Sequence, residues 1–489
     1  MIDNFINALG LVLTFKVLIA LMCGILVGYF VGAMPGLTSS IGMALLIPFT
    51  FGLEPIPAIV MLVSIYMASD YAGGIPAILV NAPGQPASAV TAFDGFPMSQ
   101  RGESGRALNL SIMASGAGAL ISGVLLVISA QLMASAALAF GPAEYFALAV
   151  LGLSLIGVLS AGSTLKAIIG LMFGLTVITI GIDPIRGSER YVVHFLLIDG
   201  LPFLPALIGL FALSEVFVML ETANQKTMPI KHTPSASASF KALMPFKVTV
   251  IRSSLIGYFV GVIPGAGASI ASLISYGVTK NLSSDKGSFG KGNPEGIVAS
   301  EAANNASVSG ALAPLLSLGI PGSASAAVLI GGLTIQGLQP GPLLFATNPE
   351  IPYSIFVGLF VGLPIMVAVG LFGARLWVQI TRIPRPIIAT VVASICMLGA
   401  YSAANDTFEM MVTAFFGVIG YLLRRCDIHP APIVLALVLG DMLEASLRRA
   451  MITANDSFFS LLLQPITAVL IALAVLVLIS PLLGRRRAR

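Results

Sequence analysis

The residues of this chain best suited to chemistry are four Pro-Gly dipeptides, each followed by small or hydroxyl-bearing residues: Pro35-Gly36, Pro83-Gly84, Pro264-Gly265 and Pro321-Gly322. Proline removes a backbone donor and glycine admits positive φ, so each dipeptide marks a break in an apolar helix. Inside lipid, such a break frees N–H and C=O groups that protein, water or a ligand must satisfy. A helix restarting after Pro35-Gly36 carries Thr38, Ser39 and Ser40 in its first turn, and one restarting after Pro264-Gly265 carries Gly267 and Ser269. The other two breaks are followed by Ser88 and Thr91, and by Ser323 and Ser325. A helix N-terminus presents free N–H groups and a partial positive charge, which suits a carboxylate. Ordinary kinks and packing sites would use the same dipeptides, but their occurrence in duplicated pairs favours solute binding.

A second constellation is Glu301, Asn304 and Asn305, which spacings of three and four place on one face of a small-residue helix. A carboxylate with two amides can coordinate a sodium ion or carry a proton; the competing reading is a solvated face beside the polar stretch 281–296. Further carboxylates fall in or near apolar runs: Asp70, Asp94, Glu144, Glu215, Asp441 and Glu444. Intramembrane carboxylates are costly and often mark ion pathways, which makes Asp94 a further candidate for ion coupling. No phosphate-binding G-x-x-x-x-G-K-[ST] loop, H-E-x-x-H or G-x-S-x-G occurs. His194, His232 and His429 are far apart in sequence, and Cys23, Cys396 and Cys426 form no disulfide or metal pattern. Neither an enzyme nor a cofactor is expected, and sodium is the one metal ion in question.

The elements that hold these residues are membrane helices. Hydrophobic residues make up 57% of the 489 positions and charged residues only 9%, against roughly 25% charged in a soluble domain. Apolar runs cover 11–33, 109–135, 145–161, 164–181, 203–221, 354–374, 386–403, 408–423 and 465–483. With shorter, more polar segments between them, they predict about 12 crossings, some broken or re-entrant. The runs lack the alternation of barrel strands, so the fold class is an all-α polytopic membrane protein. The two most hydrophilic stretches, 222–247 and 281–296, are too short to hold a core, so no soluble domain is expected. Residues before the first run contain no Lys or Arg, which argues against a cleaved signal peptide. The net charge of +4 sits in loops and at the tail and reports orientation in a bilayer rather than nucleic-acid binding.

The chain also repeats itself. Gly28-Tyr29-Phe30-Val31-Gly32-Ala33-Met34-Pro35-Gly36 returns as Gly257-Tyr258-Phe259-Val260-Gly261-Val262-Ile263-Pro264-Gly265, with seven of nine positions identical at an offset of 229. The segment 83–90 resembles 321–328 at an offset of 238, the extra residues falling in 281–296. Glu215 and Glu444 share the 229 offset. Glycines at 24, 28, 32 and 36, and again at 257, 261 and 265, form stripes that let helices approach closely. Residues 1–10 hold no Lys or Arg, whereas the stretch before the second copy holds Lys226, Lys231, Lys241, Lys247 and Arg252. Arg101 and Arg106 follow the first copy and no basic residue occupies 338–350. By the positive-inside rule the copies are oppositely oriented, the inverted-repeat plan of secondary transporters with a site near the midplane. The expected units are a first repeat at 1–222, a basic cytoplasmic linker at 223–247 and a second repeat at 248–489.

In their combination and order, these blocks resemble the large permease subunit of the bacterial tripartite tricarboxylate transporters, over essentially the whole length. The resemblance rests on Val31-Gly32-Ala33-Met34-Pro35-Gly36-Leu37, on Leu45-Leu46-Ile47-Pro48-Phe49-Thr50-Phe51 and on Asn81-Ala82-Pro83-Gly84-Gln85-Pro86-Ala87-Ser88-Ala89 with 91–97. In the second half it rests on 292–296, on Glu301-Ala302-Ala303-Asn304-Asn305-Ala306, on Leu318-Gly319-Ile320-Pro321-Gly322-Ser323 and on 337–342. It implies a multi-pass protein of the bacterial inner membrane that imports di- or tricarboxylates on a sodium or proton gradient. It also implies two partners, a small membrane subunit and a periplasmic solute-binding protein. Asn81 joins the candidate solute residues through this match. One segment departs: where the family pattern has Tyr-Gly-Gly-Ser and then Ile-Thr, this chain reads Tyr71-Ala72-Gly73-Gly74-Ile75-Pro76, with Asp70 beside it. The solute and ion preferences of typical members therefore do not transfer directly. A permease acting alone, and a membrane enzyme acting on a lipid-linked substrate, are the rival expectations.

Overall fold

The computed structural model describes residues 2–159, 163–183, 186–222, 240–380, 383–454 and 457–487. The fold is 81% helical, and the one sheet among the described residues is an antiparallel ribbon pairing Gly181 with Arg190 and Ile182 with Glu189. Nine helices among the described residues are long and apolar enough to cross a bilayer, and Pro142–Val158, Thr164–Ile178 and Pro465–Ile479 are shorter apolar helices. Helices satisfy every internal backbone group without water, which is why such a sequence folds this way in lipid. The chain is thus a predominantly α-helical, multi-pass integral membrane protein. Of the basic linker, 223–239 lies outside the described residues, and Phe240–Phe246 forms a 3-10 turn ahead of helix Lys247–Val262.

Each Pro-Gly element sits at a helix break. Helix Phe15–Gly32 ends, the chain turns through Gly36 at φ +97°, and helix Ser39–Leu46 begins. Helix Lys247–Val262 ends likewise, Gly265 takes φ +81°, and helix Gly267–Leu282 follows. The later pair precede helices Ser88–Gln100 and Ala324–Ile335, the latter capped by Ser323 Oγ accepting from the N–H of Ala326 at 3.1 Å. Four helix N-termini therefore start within a few residues of a Pro-Gly.

The glycine stripes are packing surfaces, and their contacts repeat with the sequence offsets. Gly28 lies against Ile65 and Ala68, and Gly32 against Ser69 and Ala72. In the second half Gly257 lies against Ala303, and Gly261 against Ser307 and Gly310. The first helix of each pair is shifted by 229 and its partner by 238, so one interface is built twice. The sharpest case is Gly84, where a side chain would overlap the Gly32 carbonyl and the Gly73 Cα; Gly322 stands in the same relation to Gly261 and Ala311. Backbone approaches this close admit only glycine.

Helix Pro294–Leu318 is buried from Gly296 to Ser317 and packs against Ser104–Ala137, Lys247–Val262, Gly267–Leu282 and Ser88–Gln100. Asn293 caps it, its Oδ1 accepting from the N–H of Glu295 at 2.8 Å, Pro294 opens it, and Gly319 at φ +73° ends it. Its Ala, Ser, Gly and Asn side chains are short, which lets so many neighbours approach. The carboxylate of Asp94 anchors the preceding loop. Its Oδ1 accepts from the N–H groups of Gly290, Gly292 and Asn293 at 2.9, 2.8 and 2.7 Å, and its Oδ2 from the Tyr276 hydroxyl at 2.8 Å.

Candidate functional site

All four Pro-Gly breaks converge on one cavity of about 550 Å³. Gly36, Thr38, Ser39 and Ser40 line it from the first break, Pro83 and Gly84 from the second, Gly265 and Ser269 from the third, and Ser323 and Ser325 from the fourth. Helices Ser39–Leu46, Ser88–Gln100, Gly267–Leu282 and Ala324–Ile335 begin at or beside this space, because a broken helix inside a bundle must end against something polar. Each N-terminus carries roughly half a positive charge, so the cavity favours an anion. Pro35, Pro264, Pro321 and Gly322 shape the turns behind the wall without lining it. Asn81 lies outside the wall and takes the left-handed conformation, φ +52°, at the end of helix Gly74–Val80.

Hydroxyl groups tie the two halves together across the cavity. Ser39 donates to Asp70 Oδ1 at 2.8 Å and meets Ser325 Oγ at 2.7 Å, while Ser40 meets the same Ser325 at 2.9 Å. Tyr66 and Ser323 share a hydrogen bond of 2.7 Å, and Gln85 Nε2 donates to Ser69 Oγ at 2.8 Å. Asp70 is 5% exposed and forms part of the wall. A carboxylate at this depth is stable only with such partners.

Behind the wall lies a second polar cluster. Glu301 is 0% exposed; its Oε1 accepts from Thr91 Oγ1 at 2.6 Å and its Oε2 from Ser115 Oγ at 2.8 Å. The solvated-face reading of this helix therefore fails. Asn304 Nδ2 donates to the backbone carbonyl of Asp70 at 3.0 Å, which links the cluster to the cavity. Asn304 Oδ1, both polar atoms of Asn305 and Ser88 Oγ are buried with no protein partner. Asp94 reaches the position of Gly296, and Thr91 meets Ser300 and Glu301. Helix Ser88–Gln100 thus runs antiparallel to Pro294–Leu318, and Ser88 falls level with the two asparagines. Unpaired buried oxygens of this kind are rare and call for a specific ligand or water. Gly74, where the resemblance expects serine, lies directly against Glu301 Oε1, so the departure at 71–76 falls on this cluster.

Asp94 stands apart from both clusters, with four donors of its own. Sequence reasoning missed Tyr66, Gln85, Arg424 and His429 in the cavity wall, and flagged Asp70 and Glu215 only as ionisable. Gln85 lies inside the quoted Pro-Gly block and was open to detection. Arg424 sits beside Arg425 at the end of an apolar helix, where a basic residue ordinarily reaches for water. In the wall, Arg424 Nη1 is paired with Glu215 Oε2. The other carboxylate of the 229 offset, Glu444, pairs with Arg190 at 2.6 Å and Arg448 at 2.6 Å, outside the cavity wall.

The chain matches the "Tripartite tricarboxylate transporter TctA family" over residues 18–435. It is 35% identical over 467 residues to an "Uncharacterized 52.8 kDa protein in TAR-I ttuC' 3'region" of Agrobacterium vitis, covering 95% of this chain and 93% of that one. An "Uncharacterized protein in TAR-II ttuC' 3'region" of the same organism is 36% identical over 233 residues, 48% of this chain and 96% of its own. No solved structure matches. A family match spanning both halves, together with a near full-length relative at that identity, shows that the chain belongs to the tripartite tricarboxylate transporter TctA family, a family of membrane transporters.

Proposed function

We propose that this chain is the permease subunit of a binding-protein-dependent secondary transporter that imports a di- or tricarboxylate across the bacterial inner membrane on a sodium or proton gradient. The observation that carries the reading is the convergence of four Pro-Gly helix starts on one hydroxyl-lined cavity. Small-molecule sites run from about 300 to 1,000 Å³, and the volume of about 550 Å³ suits a solute with two or three carboxylates. The N-terminal N–H groups, with Thr38, Ser39, Ser40, Ser269, Ser323 and Ser325, would bind those carboxylates. The coupling ion falls to the cluster behind the wall: Asn304, Asn305 and Ser88 offer unpaired oxygens for a sodium ion beside the hydrogen-bonded Glu301 carboxylate, and Glu301 alone would serve for a proton. The link from Asn304 to the Asp70 carbonyl supplies contact between ion and solute sites. Repetition of the glycine interfaces at 229 and 238 supports two halves of common origin, and the loop charges support their inversion.

The test is uptake of labelled citrate and succinate by proteoliposomes holding this chain and its small membrane subunit, with the solute-binding protein outside and a sodium or pH gradient imposed. Uptake that needs both the gradient and the binding protein is expected. Robust uptake by this chain alone would favour a stand-alone symporter instead. In the same assay Asn305→Ala is expected to abolish the response to the gradient, and full retention by both Asn305→Ala and Glu301→Gln would remove the coupling assignment.

A further inference from the structure

We infer that Arg424 is the receptor for one carboxylate of the solute, and that Glu215 is the resident anion it releases when the solute arrives. This rests on the carboxylate reading above and names a residue outside the Pro-Gly elements. Arg424 and Glu215 both line the cavity and bond to each other through Nη1 and Oε2. The Arg424 Nε is buried with no partner, so part of the guanidinium fork stays unsatisfied while Glu215 holds it. A planar fork with spare donors is the group that takes a carboxylate in two parallel hydrogen bonds.

Glu215 is placed as a competitor of the solute. Its Oε1 lies against the Pro35-Gly36 turn, so close that a Cβ on Gly36 would meet it at 3.0 Å. That turn opens helix Ser39–Leu46, whose N-terminus is one of the proposed solute contacts. A solute carboxylate reaching the turn therefore meets the anion already there, and the guanidinium paired with that anion can satisfy only one of the two fully. The five-residue π-turn Gly209–Leu213, which carries wall residue Phe211, runs directly into helix Ser214–Glu221. Such a turn adds one residue to the helical register and re-aims everything after it, here the side chain of Glu215. A pair that served only to hold helices together would not require its arginine to face a cavity with a donor to spare.

The experiment is equilibrium binding of labelled succinate and citrate to the purified chain with its small subunit in lipid nanodiscs, with competition by each solute's monoamide. The wild type is expected to bind at least one of the two acids and to prefer it to its monoamide. Arg424→Gln should weaken binding of the acid by about 30-fold or more, the range for removing one partner of a buried charge pair, and should erase the preference over the monoamide. Arg424→Lys should keep part of the preference, and Glu215→Gln should bind the acid at least as tightly as wild type. The double variant Glu215→Gln/Arg424→Gln separates a structural pair from a binding one, because removing both charges relieves a structural pair. Its continued failure to bind, with an unshifted thermal midpoint, is the supporting result. Recovery of wild-type affinity in the double variant, or an unchanged preference in a folded Arg424→Gln, would overturn the inference while leaving the carboxylate reading intact. Absence of acid binding by the wild type under any sodium or pH condition would remove the carboxylate reading and this inference with it.

Discussion

The two turns that follow the duplicated Gly-Tyr-Phe-Val-Gly segments share a Pro-Gly with a positive-φ glycine, Gly36 and Gly265, but not a setting. After Pro35-Gly36, helix Ser39–Leu46 is buried from Ser39 to Leu45, and its hydroxyls are engaged with Asp70 and Ser325. After Pro264-Gly265, helix Gly267–Leu282 buries only Ala271, Ser272, Ser275, Tyr276 and Thr279, while Leu273 and Ile274 are 54% and 43% exposed. Ser269, the counterpart of Ser40, is exposed and lines the cavity. Duplication thus reproduces the Pro-Gly break, and residues outside the duplicated segments decide what holds it. Asp70 has Val308 at its 238 offset, so the carboxylate that accepts from Ser39 has no counterpart at the equivalent position of the second half.

Substitutions probe this contrast directly. The largest effect tests what the halves share: Gly84→Val and Gly322→Val each drive a side chain into facing backbone, at a cost of about 3 kcal/mol, the upper end for overpacking. Both should lose the monodisperse peak in size-exclusion chromatography, and survival of either would mean that the two crossings are not equivalent. Next is a tie found in one half only, since Gly332 occupies the 238 offset of Asp94. Asp94→Asn weakens four hydrogen bonds to an ionised acceptor and is expected to cost about 2–3 kcal/mol, seen as a lower thermal midpoint. An unchanged midpoint would free Asp94 for the ion-coupling role that its position in an apolar run suggests. Third, Ser39→Ala should reduce uptake by about 10-fold, the worth of one hydrogen bond to a charged group, and Ser269→Ala by less than about 3-fold. Equal losses would erase the difference between the turns. The smallest effect is at Leu273→Ala, expected to shift stability by no more than about 0.5 kcal/mol because the side chain is exposed. A loss several times larger would show that a partner or another copy covers this face.

Much of the site was legible in the residue order. Pro-Gly dipeptides announce broken helices from first principles, and pairing at two offsets indicated that the breaks would meet. Small residues around Glu301, Asn304 and Asn305 allowed tight packing but equally a solvated face, and it is the fold that buries them. Arg424 was not legible: it comes from a helix with no motif, and only folding brings it to Glu215 and the first turn. Asp94 shows the opposite difficulty. A lone carboxylate in an apolar run suggests ion chemistry, yet the N–H groups of Gly290, Gly292 and Asn293 that surround it lie almost two hundred residues downstream. Long-range backbone donors leave no trace in composition or spacing.

The contact of Gly84 with the backbones of Gly32 and Gly73 has a consequence for how such proteins can diverge. A crossing made of touching main chains offers evolution no side chain to vary, so it behaves as a fixed frame inherited whole. On the proposed reading of the cavity, a change of solute would be written where side chains enter it, at Tyr66, Gln85, Ser323 and Arg424. Substitutions at those places would then alter the cavity's chemistry without disturbing the frame that holds it open.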